Sequence, residues 1–340
     1  MSLLTIYKEQ DILAHINKRK GEKKFGEKVD LISNPNNLDL ELKNSNSKFV
    51  LFGIPESVGV KANKGRQGTE TAWNSTLKSL LNTQNSPINK GKKVLLLGHF
   101  NFADYMEQSA KLNPDIPSEL QQLYNIVSAI DEEVTSLVYK IVSAGKIPII
   151  IGGGHNNAYG NIKGSSLALN TPINAINFDA HTDFRALEGR HSGNGFSYAF
   201  QEGFLNRYFI FGLHENYTSK SILKELNAHH KHINYNTFEA IAIRQETDFK
   251  HEMHYALNFI KTDRFGLEID IDAIQNIASS AMTPSGFTVN NARQFVSYFG
   301  KSKQVAYLHI CEAAPSLDES NNTLIGKVIS YLITDFMRAN

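Results

Sequence analysis

The stretch INAINFDAHTD (residues 173–183) joins a short apolar run directly to three potential metal ligands. Its apolar part predicts a buried β-strand that ends at Asp179. Side chains alternate along an extended backbone, so a spacing of two places Asp179, His181 and Asp183 on one side of the chain. The stretch therefore predicts a strand whose carboxyl end carries a candidate metal site.

The rest of the chain repeats the alternation of short apolar runs with longer helical stretches. The further runs are FVLFGIP (49–55), KKVLLLGHF (92–100), KIPIIIGGGH (146–155), RYFIFGLHE (207–215), RFGLEIDID (264–272) and QVAYLHICEAAP (304–315). The clearest helix is predicted over residues 118–144, with Ser118 as its N-cap and Gly145 as its stop. This order predicts an α/β fold in which a parallel sheet is covered by helices on both faces.

We predict one domain over residues 49–340, because no repeat or Pro-rich or Ser-rich linker divides that region. Residues 1–48 are polar, rich in Lys and Asn, and weakly patterned. We interpret them as an N-terminal extension laid on the main domain.

Two further strand ends carry residues that bind metals. The run 147–151 is followed by three glycines and His155, and the run 265–269 is followed by Asp270 and Asp272. Because ligands of open parallel sheets bind beyond the carboxyl ends of the strands, we expect these residues to meet the Asp179 group. Each motif is weak alone, since an isolated His or Asp-x-Asp is usually structural, but their order at three strand ends favours a shared site.

The charge of these candidate ligands determines which ions such a site could hold. Four carboxylates packed together would repel one another, and two divalent ions would offset that charge. Oxygen ligands with one imidazole per metal suit manganese better than a metal that prefers thiolates. The sequence therefore predicts two Mn²⁺ ions per chain, held by His155, Asp179, His181, Asp183, Asp270 and Asp272.

The amino-acid composition bears on which partners the protein binds and where in the cell it is expected. The 35 basic and 34 acidic residues leave a net charge of +1, which gives no argument for a nucleic-acid or membrane partner. There is one cysteine, Cys311, and the N-terminal residues do not have the form of a secretory signal. We expect a cytoplasmic protein that acts on a small molecule. The sequence leaves open whether it is a monomer or a homo-oligomer.

The metal-site motifs resemble those of the ureohydrolase superfamily, which includes arginase, agmatinase and formimidoylglutamase. GGGH (152–155), DAHTD (179–183) and EIDID (268–272) match its three signatures, although Glu268 stands where the family has Ser. Glu312 resembles the family's Glu-x-x-Pro carboxylate, which faces the cationic head of the substrate. The resemblance covers roughly residues 50–320 and implies a three-layer α/β/α domain around a mostly parallel sheet of about eight strands.

Formimidoylglutamase is the branch that the chain resembles most, through residues 53–69, FDAHTDFR (178–185), RHSGNGF (190–196) and TPSGF (283–287). The resemblance implies hydrolysis of N-formimidoyl-L-glutamate to L-glutamate and formamide, a step of histidine degradation. Its catalytic residues are expected to be Asp183, Glu312 and His191. No histidine of the 190–196 segment aligns with the proton-shuttling His of arginase and agmatinase, and His191 is adjacent to that position.

The segment 184–196, called the basic loop below, favours the same substrate by its charge. Formimidoylglutamate has a planar amidine at one end and two carboxylates at the other. The loop carries two arginines and one histidine against a single acid, Glu188. The candidate substrate-binding residues are Arg185, Arg190, Ser192, Asn194 and Arg66. Surface solvation or a structural ion pair is an equally good explanation for Arg185 and Arg190.

Three alternatives remain open from the sequence. The first is a guanidine hydrolase, such as arginase, agmatinase or a guanidino-acid hydrolase. The second is a non-catalytic metal-binding relative, which would be expected to have lost some of the six ligands. The third is a deacetylase, whose single zinc needs fewer carboxylates than this set offers.

Overall fold

The chain folds around one nine-stranded sheet, as seen in a computed structural model that describes residues 3–318, 320 and 322–340. The strands are β1 (Leu4–Ile6), β2 (Phe49–Gly53), β3 (Val94–Phe100), β4 (Ile147–Ile151), β5 (Ile173–Phe178), β6 (Leu205–Leu213), β7 (Ile233–Thr237), β8 (Phe265–Asp270) and β9 (Val305–Cys311). Their order in the sheet is β1-β3-β2-β4-β9-β8-β5-β6-β7. The edge strand β1 is antiparallel to β3, and all the other neighbours are parallel.

Helices connect the strands. The α-helices of the described residues are α1 (Glu9–Leu13), α2 (Leu38–Asn44), α3 (Val58–Ala62), α4 (Ala72–Leu80), α5 (Ala103–Ala110), α6 (Pro117–Ser143), α7 (Asn157–Leu169), α8 (Gly195–Gln201), α9 (Lys220–Ala228), α10 (Phe249–Ile260), α11 (Val289–Phe299) and α12 (Asn322–Ala339). Short 3₁₀ turns, such as Ser192–Asn194 and Glu215–Tyr217, and one π turn at Glu239–Ile243 lie in the connections. None of the helices in the described part of the chain is both long and apolar enough to cross a membrane.

Two hydrophobic cores lie on opposite faces of the sheet. Alternate strand residues enter different cores: Leu51 packs in the core that contains Trp73 of α4 and Phe295 of α11, whereas Phe52 packs in the core that contains Ile130 of α6. A parallel sheet buried on both faces needs apolar side chains at consecutive positions, as FVLF provides in β2. The predicted three-layer α/β/α architecture is confirmed, with nine strands in place of about eight.

The sheet contains two strands that the apolar runs did not indicate. β7 has the sequence INYNT, which is only partly buried at the sheet edge and carries two asparagines. β1 comes from the polar segment 1–48 and pairs with β3. That segment therefore contributes to the sheet, while the proposed division of the chain at residue 48 stays a prediction.

The long helix begins one residue earlier than predicted. Pro117 is its first residue, and Ile116 occupies the N-cap position without a side-chain hydrogen bond. The prediction that Ser118 is the N-cap is therefore wrong, because the fixed φ of Pro117 starts the helix before it. The predicted stop is confirmed, since Gly145 adopts a φ of +74° directly after Ala144.

Candidate metal centre and substrate cavity

The four central strands of the sheet end at the candidate site. β4, β9, β8 and β5 are consecutive neighbours, and their carboxyl ends lead to His155, Glu312, Asp270 and Asp179 respectively. Residues that are far apart in sequence thus meet at one edge of the sheet. The fold brings together all six predicted metal ligands and Glu312.

Four of the six ligands surround one point. Nδ1 of His155 lies 2.7 Å from Oδ2 of Asp183, 3.0 Å from Oδ2 of Asp270 and 3.3 Å from Oδ2 of Asp179. One ligand atom from each of these residues lies within 4.8 Å of the other three. This spacing suits four ligands that converge on a single ion.

His181 and Asp272 form a second group beside the first. Nδ1 of His181 lies 3.5 Å from Oδ1 of Asp179 and 4.0 Å from Oδ2 of Asp272. Asp179 therefore faces His155 with one carboxylate oxygen and His181 with the other. A carboxylate in this position can bridge two metal ions, and this geometry fits the predicted pair.

The electrostatics of the cluster also fit two cations. Burial raises the pKa of Asp270, and the neighbouring charges of Asp179 and Asp272 raise it further. Burial alone would lower the pKa of His181, but its hydrogen bond and attraction to Asp179 raise that pKa to about 10. The carboxylates thus need positive charge close by, which divalent ions supply when they replace the imidazole protons.

Neighbouring groups fix the direction of the carboxylates. The side-chain amide of Asn177 donates to Oδ2 of Asp179 at 2.8 Å. Asp272 accepts hydrogen bonds from the Ser280 hydroxyl at 3.1 Å and from the Ala281 backbone N–H at 3.0 Å. Sequence reasoning missed these supporting residues, because nothing in their local pattern marks them as partners of distant ligands.

Glu312 is buried, with 3% exposure, at the wall of the adjoining cavity. Its backbone is held at φ +60°. Its Oε1 accepts the backbone N–H of His155 at 2.6 Å, whereas its Oε2 makes no hydrogen bond of normal length and geometry among the described residues. Burial, followed by the negative charge of Asp272, raises the pKa of Glu312 to about 8. The Ser280 hydroxyl, which donates to Asp272, is close enough to oppose part of this rise in the pKa of Glu312. A cation bound next to Glu312 would lower the pKa and favour the ionised carboxylate, so Oε2 is suited to bind a cationic group.

A second buried carboxylate, Glu56, was not predicted. Its Oε1 accepts hydrogen bonds from the Gly154 backbone N–H at 3.0 Å and from the Asn157 amide at 2.7 Å. Its Oε2 accepts the backbone N–H of Val58 at 2.7 Å. Glu56 therefore fixes the glycine turn that presents His155. A glutamate directly after the buried strand FVLFGIP was the signal that could have indicated it.

A cavity of about 590 Å³ opens beside these ligands. Asp183, Asp270, Asp272 and Glu312 are among the residues that line it. Asn63, Arg185 and Ser192 line one part of it, and Tyr217 and Ser219 line another. The Tyr217 ring stacks on His181 with 5.5 Å between the ring centroids, a contact that the sequence did not indicate.

Two of the five predicted substrate-binding residues line this cavity. The Arg185 side chain is 50% exposed and donates to Oδ1 of Asn63 at 2.6 Å and to Oε1 of Glu188 at 3.0 Å. Ser192 accepts a hydrogen bond from the amide of Asn63 at 3.1 Å. Asn63 thus connects both residues of the basic loop to the segment that precedes Arg66.

The structure places Arg190, Asn194 and Arg66 outside this cavity, and their expected role in substrate binding stays a prediction. Arg190 is only 5% exposed and pairs with Asp131 of α6, with Nε 2.8 Å from Oδ2. The buried amide of Asn194 accepts from Nη1 of Arg190 at 2.5 Å. Arg66 donates to the backbone carbonyls of Ser279 and Ser280 at 3.3 Å. None of the three lines the cavity described above, because each is held by other protein groups.

His191 also does not line the cavity. Its Nδ1 accepts the backbone N–H of Gly193 at 3.1 Å, and its Nε2 lies 3.1 Å from Glu188. Burial, followed by the positive charge of Arg185, lowers the pKa of His191 to about 4. Both ring nitrogens of His191 are used within the basic loop, and its expected catalytic role stays a prediction.

Comparisons with known proteins identify the family of the chain. The model of the arginase family matches residues 47–334. A formimidoylglutamase of Streptococcus pyogenes serotype M12 is 27% identical over 300 residues, which cover 84% of each chain.

Solved structures have the same fold at low sequence identity. The formimidoylglutamase of Bacillus subtilis superposes with a TM-score of 0.73 at 18% identity, over 95% of this chain and 94% of that one. A Trypanosoma cruzi formiminoglutamase variant with Mn²⁺ superposes with a TM-score of 0.71 at 18% identity, over 94% of this chain and 98% of that one. The family match spans most of the sequence and includes every candidate ligand, so this chain belongs to the arginase family.

Proposed function

We propose that the protein is a dinuclear manganese hydrolase that converts N-formimidoyl-L-glutamate and water to L-glutamate and formamide. The observation that carries the proposal is Oε2 of Glu312, which makes no hydrogen bond of normal length and geometry within the described part of the chain. Glu312 lines the same cavity as His181, Asp183, Asp270 and Asp272. Such a site can hold a cationic amidine next to a metal centre. The matched formimidoylglutamase from S. pyogenes and membership of the arginase family support the same chemistry.

The metal ligands would be shared between two ions. His155, Asp183, Asp179 and Asp270 would hold one ion, and His181 and Asp272 would hold the second together with Asp179 and Asp270. When bound, the manganese ions lower the pKa of a water molecule, so that it can attack near neutral pH, and act as Lewis acids.

The chain's own residues then position and protonate the substrate. Glu312 accepts N–H groups of the amidine through Oε2 and holds one face of the planar group toward the attacking water. Asp183 lines the cavity, where it can accept a proton from that water and transfer it to the departing nitrogen of glutamate. The bond between the formimidoyl carbon and that nitrogen breaks, which leaves formamide and glutamate.

Arg185 is the residue proposed to bind a carboxylate of the substrate. Its guanidinium lines the cavity, and Glu188 is its acidic partner at 3.0 Å. The pair is half-exposed, so its own contribution to stability is small. A substrate carboxylate can therefore compete with Glu188 for the guanidinium. Ser192 offers a hydroxyl group on the same part of the wall.

Two manganese ions per chain, a cytoplasmic location and a small-molecule substrate without nucleic-acid or membrane partners are part of this proposal.

The decisive experiment is a product assay with the manganese-reconstituted protein. Formamide and glutamate should be released from formimidoylglutamate faster than urea is released from arginine, agmatine or a guanidino acid. Faster urea release would contradict the substrate and leave a hydrolase of guanidines. Saturation with a single metal ion would contradict the dinuclear site.

A further inference from the structure

A buried polar network lies behind the metal ligands, on β8 and β9. The carboxylate of Glu268 accepts the Tyr307 hydroxyl at 2.7 Å through Oε1, and its Oε2 lies 2.6 Å from Nδ1 of His309. All three side chains are fully buried. Glu268 occupies the position where the family signature has Ser, so this network is a departure of this chain from the family pattern.

The register of the β8–β9 pair places the three side chains of the network next to one another. Glu268 is the direct partner of His309 across the β8–β9 pair, and Gly266 is the partner of Tyr307. A Cβ atom on Gly266 would lie 2.3 Å from the Tyr307 ring, so glycine allows that ring to pack across β8. The Tyr307 hydroxyl can therefore reach Glu268, and the cost of burying a carboxylate is offset by two donors.

His155 stands between this network and the metal site. Its Nδ1 faces the three aspartates, whereas its Nε2 lies 3.4 Å from Oε2 of Glu268. Among the described residues, Nε2 makes no hydrogen bond of normal length and geometry, and Glu268 and Cys311 are among the groups close to the ring. A histidine that binds a metal through Nδ1 carries its proton on Nε2, and that proton needs an acceptor in a buried site.

We propose that Glu268 is a positioning residue that accepts the Nε2 proton of His155 and so holds Nδ1 toward the metal site. The inference rests on the proposed function, because it assumes that His155 binds manganese. His155, Glu268, His309 and Cys311 are also close enough to bind a metal themselves. The carboxylate of Glu268 already contacts the Tyr307 hydroxyl and the His309 ring. These contacts favour a role as hydrogen-bond acceptor over a role as metal ligand.

The carboxylate has two effects on His155. It fixes the tautomer and the orientation of the ring, and its negative charge increases the electron density at Nδ1. A serine hydroxyl could accept the same proton but would bring no charge. The chain thus provides a stronger acceptor for His155 than the family signature predicts.

The test is a manganese titration of wild-type protein and Glu268→Gln, followed by calorimetry. Gln has nearly the same volume but no charge, so manganese affinity should fall about ten- to a hundredfold. The melting temperature of the metal-free variant should stay close to that of metal-free wild type, because Gln fills nearly the same buried volume as Glu. Wild-type affinity in Glu268→Gln would overturn the proposal.

Tyr307→Phe is the matched control. It removes a donor to Oε1 but keeps the charge and leaves Oε2 facing His155, so manganese affinity should change by no more than about twofold. An equal loss of affinity in both variants would contradict the specific role of Glu268.

A crystal structure of the manganese-loaded wild type tests the contact even if Glu268→Gln does not fold. Nε2 of His155 should lie about 2.7–2.9 Å from Oε2 of Glu268. Another acceptor on Nε2, or a metal ion within the network, would overturn the proposal. Wild-type protein that binds no manganese would contradict the proposed function as well, whereas normal binding by both wild type and Glu268→Gln contradicts only this inference.

Discussion

The strand ends and the basic loop differ in how well their sequences predict their structures. At the strand ends, all six candidate ligands come together as expected. In the basic loop, Arg185 faces the cavity while Arg190, five residues later, is buried against Asp131. The carboxyl ends of parallel strands meet at one edge of the sheet, so ligands that follow them closely come together there. The expected alternation is not what aligns them, because residues 179–183 follow the end of β5 and Asp183 has a φ of +44°. The direction of a side chain in the basic loop depends on partners far away in sequence.

A substitution at a strand-end ligand should have the largest effect on activity. Asp179→Asn should lose manganese and turnover together, because one oxygen of Asp179 faces each candidate metal position and an amide lacks the charge. Elemental analysis and a formamide assay measure both losses. Asp115→Asn, which changes an exposed carboxylate paired with Lys64, is the control and should behave as wild type. Two tightly bound ions in Asp179→Asn would contradict the bridging role.

Glu312→Gln should have the next largest effect and should separate substrate binding from metal binding. Loss of a charge-assisted hydrogen bond in a buried site costs about 1.5–3 kcal/mol, or roughly ten- to a hundredfold in turnover. Manganese content should remain that of wild type, which elemental analysis can check. If the kinetics do not change, Oε2 of Glu312 does not contact the substrate.

Arg185→Ala should have a smaller effect, mainly on KM. The substrate carboxylates are remote from the reacting carbon and contribute similarly to the ground state and the transition state. Because the guanidinium is half-exposed, we expect KM to rise about tenfold with little change in kcat. Arg185→Lys should only partly restore KM, because Lys lacks the planar fork of donors.

An amidine substrate without carboxylates provides the control for Arg185. Its KM should be nearly the same for wild type and Arg185→Ala. A similar rise for both substrates would show that Arg185 holds the loop together through Asn63 and Glu188 and does not bind the carboxylates.

The sequence predicted the parts of the fold that local patterns encode. The seven apolar runs correspond to β2, β3, β4, β5, β6, β8 and β9, while the edge strands β1 and β7 lack a continuous apolar pattern. The position of Glu56 after an apolar run could have marked it as a candidate, but the partners of Glu56 and Glu268 could not be predicted, because they lie on other strands and turns. Contacts of this kind depend on the register of the folded sheet.

The smallest effect on activity is expected for Arg190, although its effect on stability should be large. The guanidinium forms two hydrogen bonds with Asp131 and packs over the rings of Tyr159 and Tyr198, 4.8 and 4.9 Å from their centroids. Arg190→Met would leave the buried carboxylate of Asp131 without its cation. Such a loss costs about 3–5 kcal/mol, which denaturant unfolding can measure.

The double variant Asp131→Asn with Arg190→Met separates the ion pair from the packing around it. Removing both charges should restore much of the lost stability, because no buried charge then lacks a partner. KM for formimidoylglutamate should stay near the wild-type value in the folded fraction of either variant, in contrast to Arg185→Ala. A rise in KM with unchanged unfolding in Arg190→Met would reverse the roles of the two arginines. It would show that the basic loop rearranges when substrate binds and brings Arg190 into the cavity.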